Sequence, residues 1–269
     1  MLDFLLGPLN YQFMQNALII GILVGLLCPV IGCLLIVQRM ALLGDVIAHS
    51  VLPGLSISFF LGIDFLIGAF ISGILGAGLI AWIRSQSKIK ADAAMALTFS
   101  SFFALGILLI TVLKNKIDLD SFLFGDILAA SQLDILKTLV VTILIFLLIK
   151  IFYKELLFYT FDKTGAQAMG LPVETMHIVF MTAVTLTIIV SMQAVGVILV
   201  IALMIGPALS AYLLVKQLHH MLLLSSALGA LSSVIGVYLS YFYNLPSGPA
   251  IVLVSSTVFL LVFLSRLNR

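Results

Sequence analysis

Charge is scarce in this sequence: Asp, Glu, Lys and Arg together make up 9% of its 269 residues, against about 25% in an ordinary soluble domain. Cysteine occurs twice and tryptophan once. The shortage of charge excludes a soluble globular chain, and with it disordered and coiled-coil chains, which need polar stretches or heptads. The shortage of cysteine excludes a disulfide-stapled secreted scaffold. No Gly-Lys dipeptide occurs, so there is no Walker A phosphate loop, and any ATP-driven step needs another polypeptide. A net charge of +2 without a long basic run leaves nucleic acid no footprint.

Hydrophobic residues make up 63% of the chain, and the mean hydropathy is +1.31. Stretches without Asp, Glu, Lys or Arg cover 4–38, 65–83, 93–113, 175–215 and 217–265. A bilayer crossing takes about 20 apolar residues, so the last two stretches each hold two crossings. Their turns fall at 191–196 and at Asn244-Leu-Pro-Ser-Gly-Pro249. The pattern predicts an all-α polytopic membrane protein, a single permease-like domain over 1–269. Its nine helices lie at 13–37, 41–62, 64–84, 93–113, 134–153, 172–192, 196–215, 220–242 and 250–267, or eight if 41–62 or 196–215 is broken. The first has neither a basic start nor an Ala-x-Ala cleavage site, so it reads as a span rather than a signal peptide.

With the N-terminus outside, Arg39, Arg84, Lys88, Lys90, Lys150, Lys154, Lys163, Lys216, Arg266 and Arg269 lie inside. Lys114, Lys116 and Lys137 lie outside, and this excess of inner positive charge sets the orientation. An odd number of helices then leaves the C-terminus in the cytoplasm. Residues 114–133 mix charges with an apolar face and predict a short interfacial or re-entrant helix. Residues 154–171 form the largest cytoplasmic connection, a natural grip for a soluble partner. Gly68, Ser72 and Gly76, and likewise Ser225, Gly229 and Ser233, predict close helix packing.

Nearly all acidic residues fall in loops or at helix ends, and Asp45 is the exception. Counting about 1.5 Å per residue from Arg39 puts Asp45 roughly 9 Å and His49 roughly 15 Å deep in a core about 30 Å thick. Four residues apart, they share a helix face. An ionisable group at that depth marks a functional site. A carboxylate with an imidazole suits Mn(II), Fe(II) or Zn(II), and metal occupancy should fall with pH because both ligands must shed protons. The same pair also fits a structural hydrogen bond or a proton relay. A metal needs further ligands from other helices or a second copy. Gln193 is a candidate oxygen ligand or gate residue, or a locally bonded polar side chain. His177, His219 and His220 read as solvated, and Cys28 and Cys33 as packing residues. Pro53 and Pro207 fall inside spans, where each removes a backbone hydrogen bond and can kink or break the helix.

Four segments resemble the membrane permease subunits of bacterial ABC importers for manganese, zinc and iron. They are Leu43-Gly-Asp-Val-Ile-Ala-His-Ser-Val-Leu-Pro-Gly54, Phe122-Leu-Phe-Gly-Asp-Ile-Leu128, Val195-Gly-Val-Ile-Leu-Val-Ile-Ala-Leu-Met-Ile-Gly-Pro-Ala-Leu-Ser-Ala-Tyr212 and Pro246-Ser-Gly-Pro-Ala-Ile-Val-Leu253. The resemblance implies a multi-pass protein of the bacterial inner (plasma) membrane, paired with a second permease copy. It further implies cytoplasmic ATPase subunits below and an extracytoplasmic metal-binding protein above. It places the metal site on Asp45 and His49, and the coupling helix on Phe161-Asp-Lys-Thr-Gly-Ala-Gln-Ala-Met-Gly-Leu171, with Asp162, Ala166 and Gly170 at four-residue steps. Gly165 stands where a bulkier apolar residue is usual. Gln193 stands where manganese-type relatives often carry Gln and zinc-type ones Lys, which favours manganese as cargo over zinc or iron. On this reading no cofactor is permanently bound and the chain itself is not an enzyme. The competing classes are a proton- or sodium-driven secondary transporter and a channel or structural subunit.

Overall fold

The computed structural model describes residues 7–114 and 123–267. Every regular element among the described residues is helical. The helices are α1 (Gln12–Val37), α2 (Leu43–Ser50), α3 (Leu52–Leu61), α4 (Phe65–Gln86), α5 (Ala91–Val112), α6 (Gln132–Ile151), α7 (Tyr153–Phe161), α8 (Lys163–Ala168), α9 (Val173–Val195), α10 (Val197–Leu214), α11 (Leu218–Tyr243) and α12 (Ser247–Leu267). Eight helical stretches among the described residues are long and apolar enough to cross a membrane, with Leu43–Leu61 counted as one. Helices α6 and α7 meet at 80° across Phe152 and make a ninth if taken as one span. The protein is thus an all-α polytopic membrane protein.

The expected 41–62 helix is two helices. Pro53 has no N–H to offer the His49 carbonyl, and the N–H of Val51, at the joint, turns to that carbonyl instead. Residues 39–42 are turns rather than helix, with Arg39 at φ 57, so the depth counted from Arg39 is not all helical rise. Pro207 and also Pro29, by contrast, are carried inside continuous helices. Residues 115–122 of the interfacial helix expected over 114–133 lie outside those described. The described part holds a short 3-10 turn, Ile127–Ala129, and its last two residues already begin α6.

The chain divides into two compact units. The first comprises Met1–Cys33, Asp120–Lys150 and Val190–Arg269, and in it α10, α11 and α12 pack on one another. The small-residue stripe of α11 receives α1. Gly229 lies against the Gly25 carbonyl, which Pro29 leaves without its helical donor, while Ser225 Oγ is 3.2 Å from Cys33 Sγ. Cys28 Sγ lies 3.4 Å from Ser191 Oγ, so both cysteines are buried, free packing residues. Arg266 donates to the Leu214 carbonyl (2.8 Å), closing the end of α10.

One residue, Gly196 (φ 82, ψ 159), joins α9 to α10. A Cβ there would stand 2.5 Å from the Gly125 nitrogen and 2.6 Å from the Phe124 carbonyl carbon. Gly125 (φ 58) reciprocates, facing the Val195 carbonyl group. Ser247 Oγ lies 3.3 Å from both Asp126 Oδ1 and the Ile127 N–H, so the start of α12 is bound to the same loop.

The second unit comprises Leu34–Leu119 and Ile151–Ile189. Here α2 and α3 pack on α4 and α5. The expected small-residue stripe of α4 makes the contact: Gly68 meets Gly54 backbone to backbone, Ser72 Oγ donates to the Ser50 carbonyl (2.6 Å), and Gly76 leaves room for Ser50. Gly62 (φ 66) ends α3 in a left-handed cap, and Asp64 caps α4 through the Leu66 N–H (2.8 Å).

Candidate metal site

Every residue of α2 is buried except Asp45 and His49. Helical spacing stacks the two one turn apart, and His49 Nε2 lies 3.3 Å from Asp45 Oδ1. This is the only contact within 4.0 Å between a basic and an acidic side chain among the described residues. The Asp45 side chain keeps 40% of its surface and His49 14%, so the carboxylate faces open space while the imidazole is set back. A separation of 3.3 Å is long for an N–H···O bond, which leaves the donor atoms free to turn toward a cation.

Helix α5 holds the imidazole from behind. The His49 ring meets Phe99 and Phe103 edge-on, with centroids 4.9 and 5.3 Å away, and those two rings stack on each other at 5.8 Å. His49 Nδ1 is buried without a hydrogen-bond partner. Sequence reasoning missed both phenylalanines, whose only signal was an aromatic pair at four-residue spacing. No third His, Cys, Asp or Glu joins the pair among the described residues. Gln193 is exposed in the last turn of α9, and it belongs to the first unit whereas Asp45 and His49 belong to the second.

The 162–170 segment has its own geometry. Asp162 Oδ1 accepts from the Gly165 N–H (2.8 Å) and caps α8. A side chain at Gly165 would run into the Asp162 carboxylate. Ala166 is fully buried, and its carbonyl accepts from the Leu171 N–H (3.1 Å) around Gly170 (φ 79), the left-handed residue of a Schellman cap. The four-residue steps thus mark a cap, a buried face and a terminator. Lys163 Nζ sits 4.6 Å over the Tyr159 ring, and burial, then the charge of Arg84, push its pKa down.

His177 is not solvated as expected. It is half-buried, with Nδ1 2.7 Å from the Tyr159 hydroxyl. His219 and His220 are exposed, as expected, with ring centroids 4.0 Å apart.

A family model described as the ABC 3 transport family matches residues 10–266. The chain belongs to the ABC 3 transport family. Within it, the chain is 47% identical over 261 residues to the manganese import system permease protein ScaB of Streptococcus gordonii, covering 97% of this chain and 94% of that protein. It is 38% identical to the probable iron transport system membrane protein of Haemophilus influenzae, covering 97% and 96%. Among solved structures it is similar to PsaBC from Streptococcus pneumoniae in complex with Fab. There the TM-score is 0.87 at 46% identity, covering 97% of this chain and 94% of that one. The ABC 3 assignment makes this multi-pass membrane protein a transporter permease.

Proposed function

We propose that the chain, acting over 1–269 as one permease domain, is the membrane-spanning subunit of an ATP-driven divalent metal importer with manganese as its preferred cargo. The observation that carries this reading is the Asp45–His49 pair on α2, a carboxylate and an imidazole one turn apart on a helix whose other residues are all buried. The name of the Streptococcus gordonii relative supports manganese. The Haemophilus influenzae name makes iron the second candidate, and zinc completes the set.

A binding protein outside delivers the ion, and Asp45 and His49 take it near the midplane. A cytoplasmic ATPase pair, docked on the coupling segment of two permease copies that the Asp162 cap, the buried Ala166 and the Gly170 terminator hold in shape, drives its release inward. The N-terminus lies outside the plasma membrane and the C-terminus inside. The chain contributes ligand exchange and conformational change rather than a covalent step, and the affinity stays moderate so the ion can leave.

Energy coupling is the deciding experiment. In proteoliposomes holding permease and ATPase, labelled manganese should accumulate only with ATP, and a protonophore should leave uptake intact. Uptake that follows the proton gradient without ATP would assign Asp45 and His49 to a relay instead. Competition with unlabelled manganese, zinc and iron ranks the cargo: manganese should displace the label at the lowest concentration. Docking is tested at Gly170, where a side chain meets open space, so Gly170→Trp adds bulk to the surface at the cost of a positive φ, about 1 kcal/mol. The variant should reach the membrane and fail to retain the ATPase on purification, and intact assembly would remove the coupling assignment.

A further inference from the structure

Tyr159 and His177 lie apart from the metal site and have no part in the reading above. Tyr159 is among the largest side chains buried completely, and a buried phenol has to place its hydroxyl. Here the partner is His177 Nδ1 at 2.7 Å, which joins α7 to α9. The neighbouring Thr160 Oγ1 is buried without a partner, so it makes no second tie.

The same phenol ring is held from both sides. Phe180, three residues beyond His177 on α9, packs 6.1 Å from it between centroids. Lys163, the first residue of α8, covers it at 4.6 Å. Along the chain Asp162 alone, the cap of α8, separates α7 from α8. Apolar packing lets helices slip past one another, whereas a hydrogen bond fixes both distance and direction. The boundary between the two units falls within α9, so a force applied at His177 acts on the helix that belongs to both.

We infer that the Tyr159–His177 hydrogen bond is the contact that carries movement of the 162–170 segment into α9, with Tyr159 and His177 as positioning residues for transport. The inference rests on the coupling role proposed above for Asp162, Ala166 and Gly170.

The test uses the complete permease–ATPase complex in proteoliposomes, with manganese as the probe. Tyr159→Phe and His177→Leu each remove the bond and keep the bulk. Both should keep normal abundance, ATPase association and ATP hydrolysis, while manganese moved per ATP falls about tenfold. His177→Asn should restore most of that ratio, because its amide reaches the Nδ1 position and both donates and accepts. An unchanged ratio in Tyr159→Phe and His177→Leu overturns the inference. So does loss of abundance or of the ATPase in the bond-lacking variants, with no rescue by Asn, since that is what a merely structural contact gives. Should Tyr159→Phe fail to accumulate, the contrast between His177→Leu and His177→Asn decides alone. Failure of the coupling assignment looks different: Gly170→Trp keeps the ATPase, whatever the Tyr159 variants do.

Discussion

Alanine in place of Asp45 or His49 should cut manganese uptake on the order of a hundredfold while the protein stays at normal abundance in the membrane. Loss of a group that merely supports a metal ligand typically costs 10- to 100-fold in affinity or activity, so loss of a ligand itself should cost at least the upper figure. Folding has less at stake. The two side chains are 3.3 Å apart and partly open, and their mutual hydrogen bond contributes about 1 kcal/mol or less. The double variant sharpens the distinction: groups that hold one ion as a unit lose little more together than either loses alone. A purely structural pair predicts near-normal uptake in all three variants at matched abundance, and that result would remove the metal site from α2.

The second large effect is on folding. Gly196→Val should leave little folded protein, measured as detergent-soluble, monodisperse permease. At φ 82 and ψ 159 the backbone sits in a region open essentially to glycine, which costs other residues about 1–3 kcal/mol. The new side chain also meets backbone at 2.5–2.6 Å, at Gly125 and Phe124, and overpacking of that kind costs a further ~1–3 kcal/mol. Backbone cannot step aside as a flexible side chain can. A total of about 4 kcal/mol approaches the whole stability of a small domain. Gly78→Val is the control: nothing stands within 4 Å of its Cβ direction, and helix propensity favours Val over Gly by roughly a few tenths of a kcal/mol, so yield should not fall. Equal yields from the two variants would show that the 124–125 contact does not constrain the fold.

The spans were legible because charge marks their ends and because turns such as Asn244 to Pro246 carry strong local signals. Packing at Gly68, Ser72, Gly76 and at Ser225, Gly229, Ser233 was legible too, since small residues at helical spacing have one main use in an apolar bundle. The pairing of Asp45 with His49 needed only the helical repeat. What escaped depends on distant partners. Pro53 and Pro207 look alike in sequence, yet a joint forms at Val51 while α10 runs on through Pro207. Phe99 and Phe103 acquire meaning only when α5 lies behind α2. His177 looked solvated because its partner, the Tyr159 hydroxyl, comes from another helix 18 residues away, and nothing local in the sequence encodes that contact.

A histidine that binds metal usually gives its second ring N–H to a carboxylate or carbonyl, which strengthens the ligand and fixes the ring. Among the described residues His49 has no such acceptor: Nδ1 is buried unpartnered, and the ring is steadied by the phenyl rings of Phe99 and Phe103. In the metal role proposed for it, His49 would therefore be well aimed but weakly reinforced. That combination would shorten the time an ion stays without loosening the geometry that receives it, which would set the trade between capture and turnover at Nδ1, on the side of the ring facing away from Asp45.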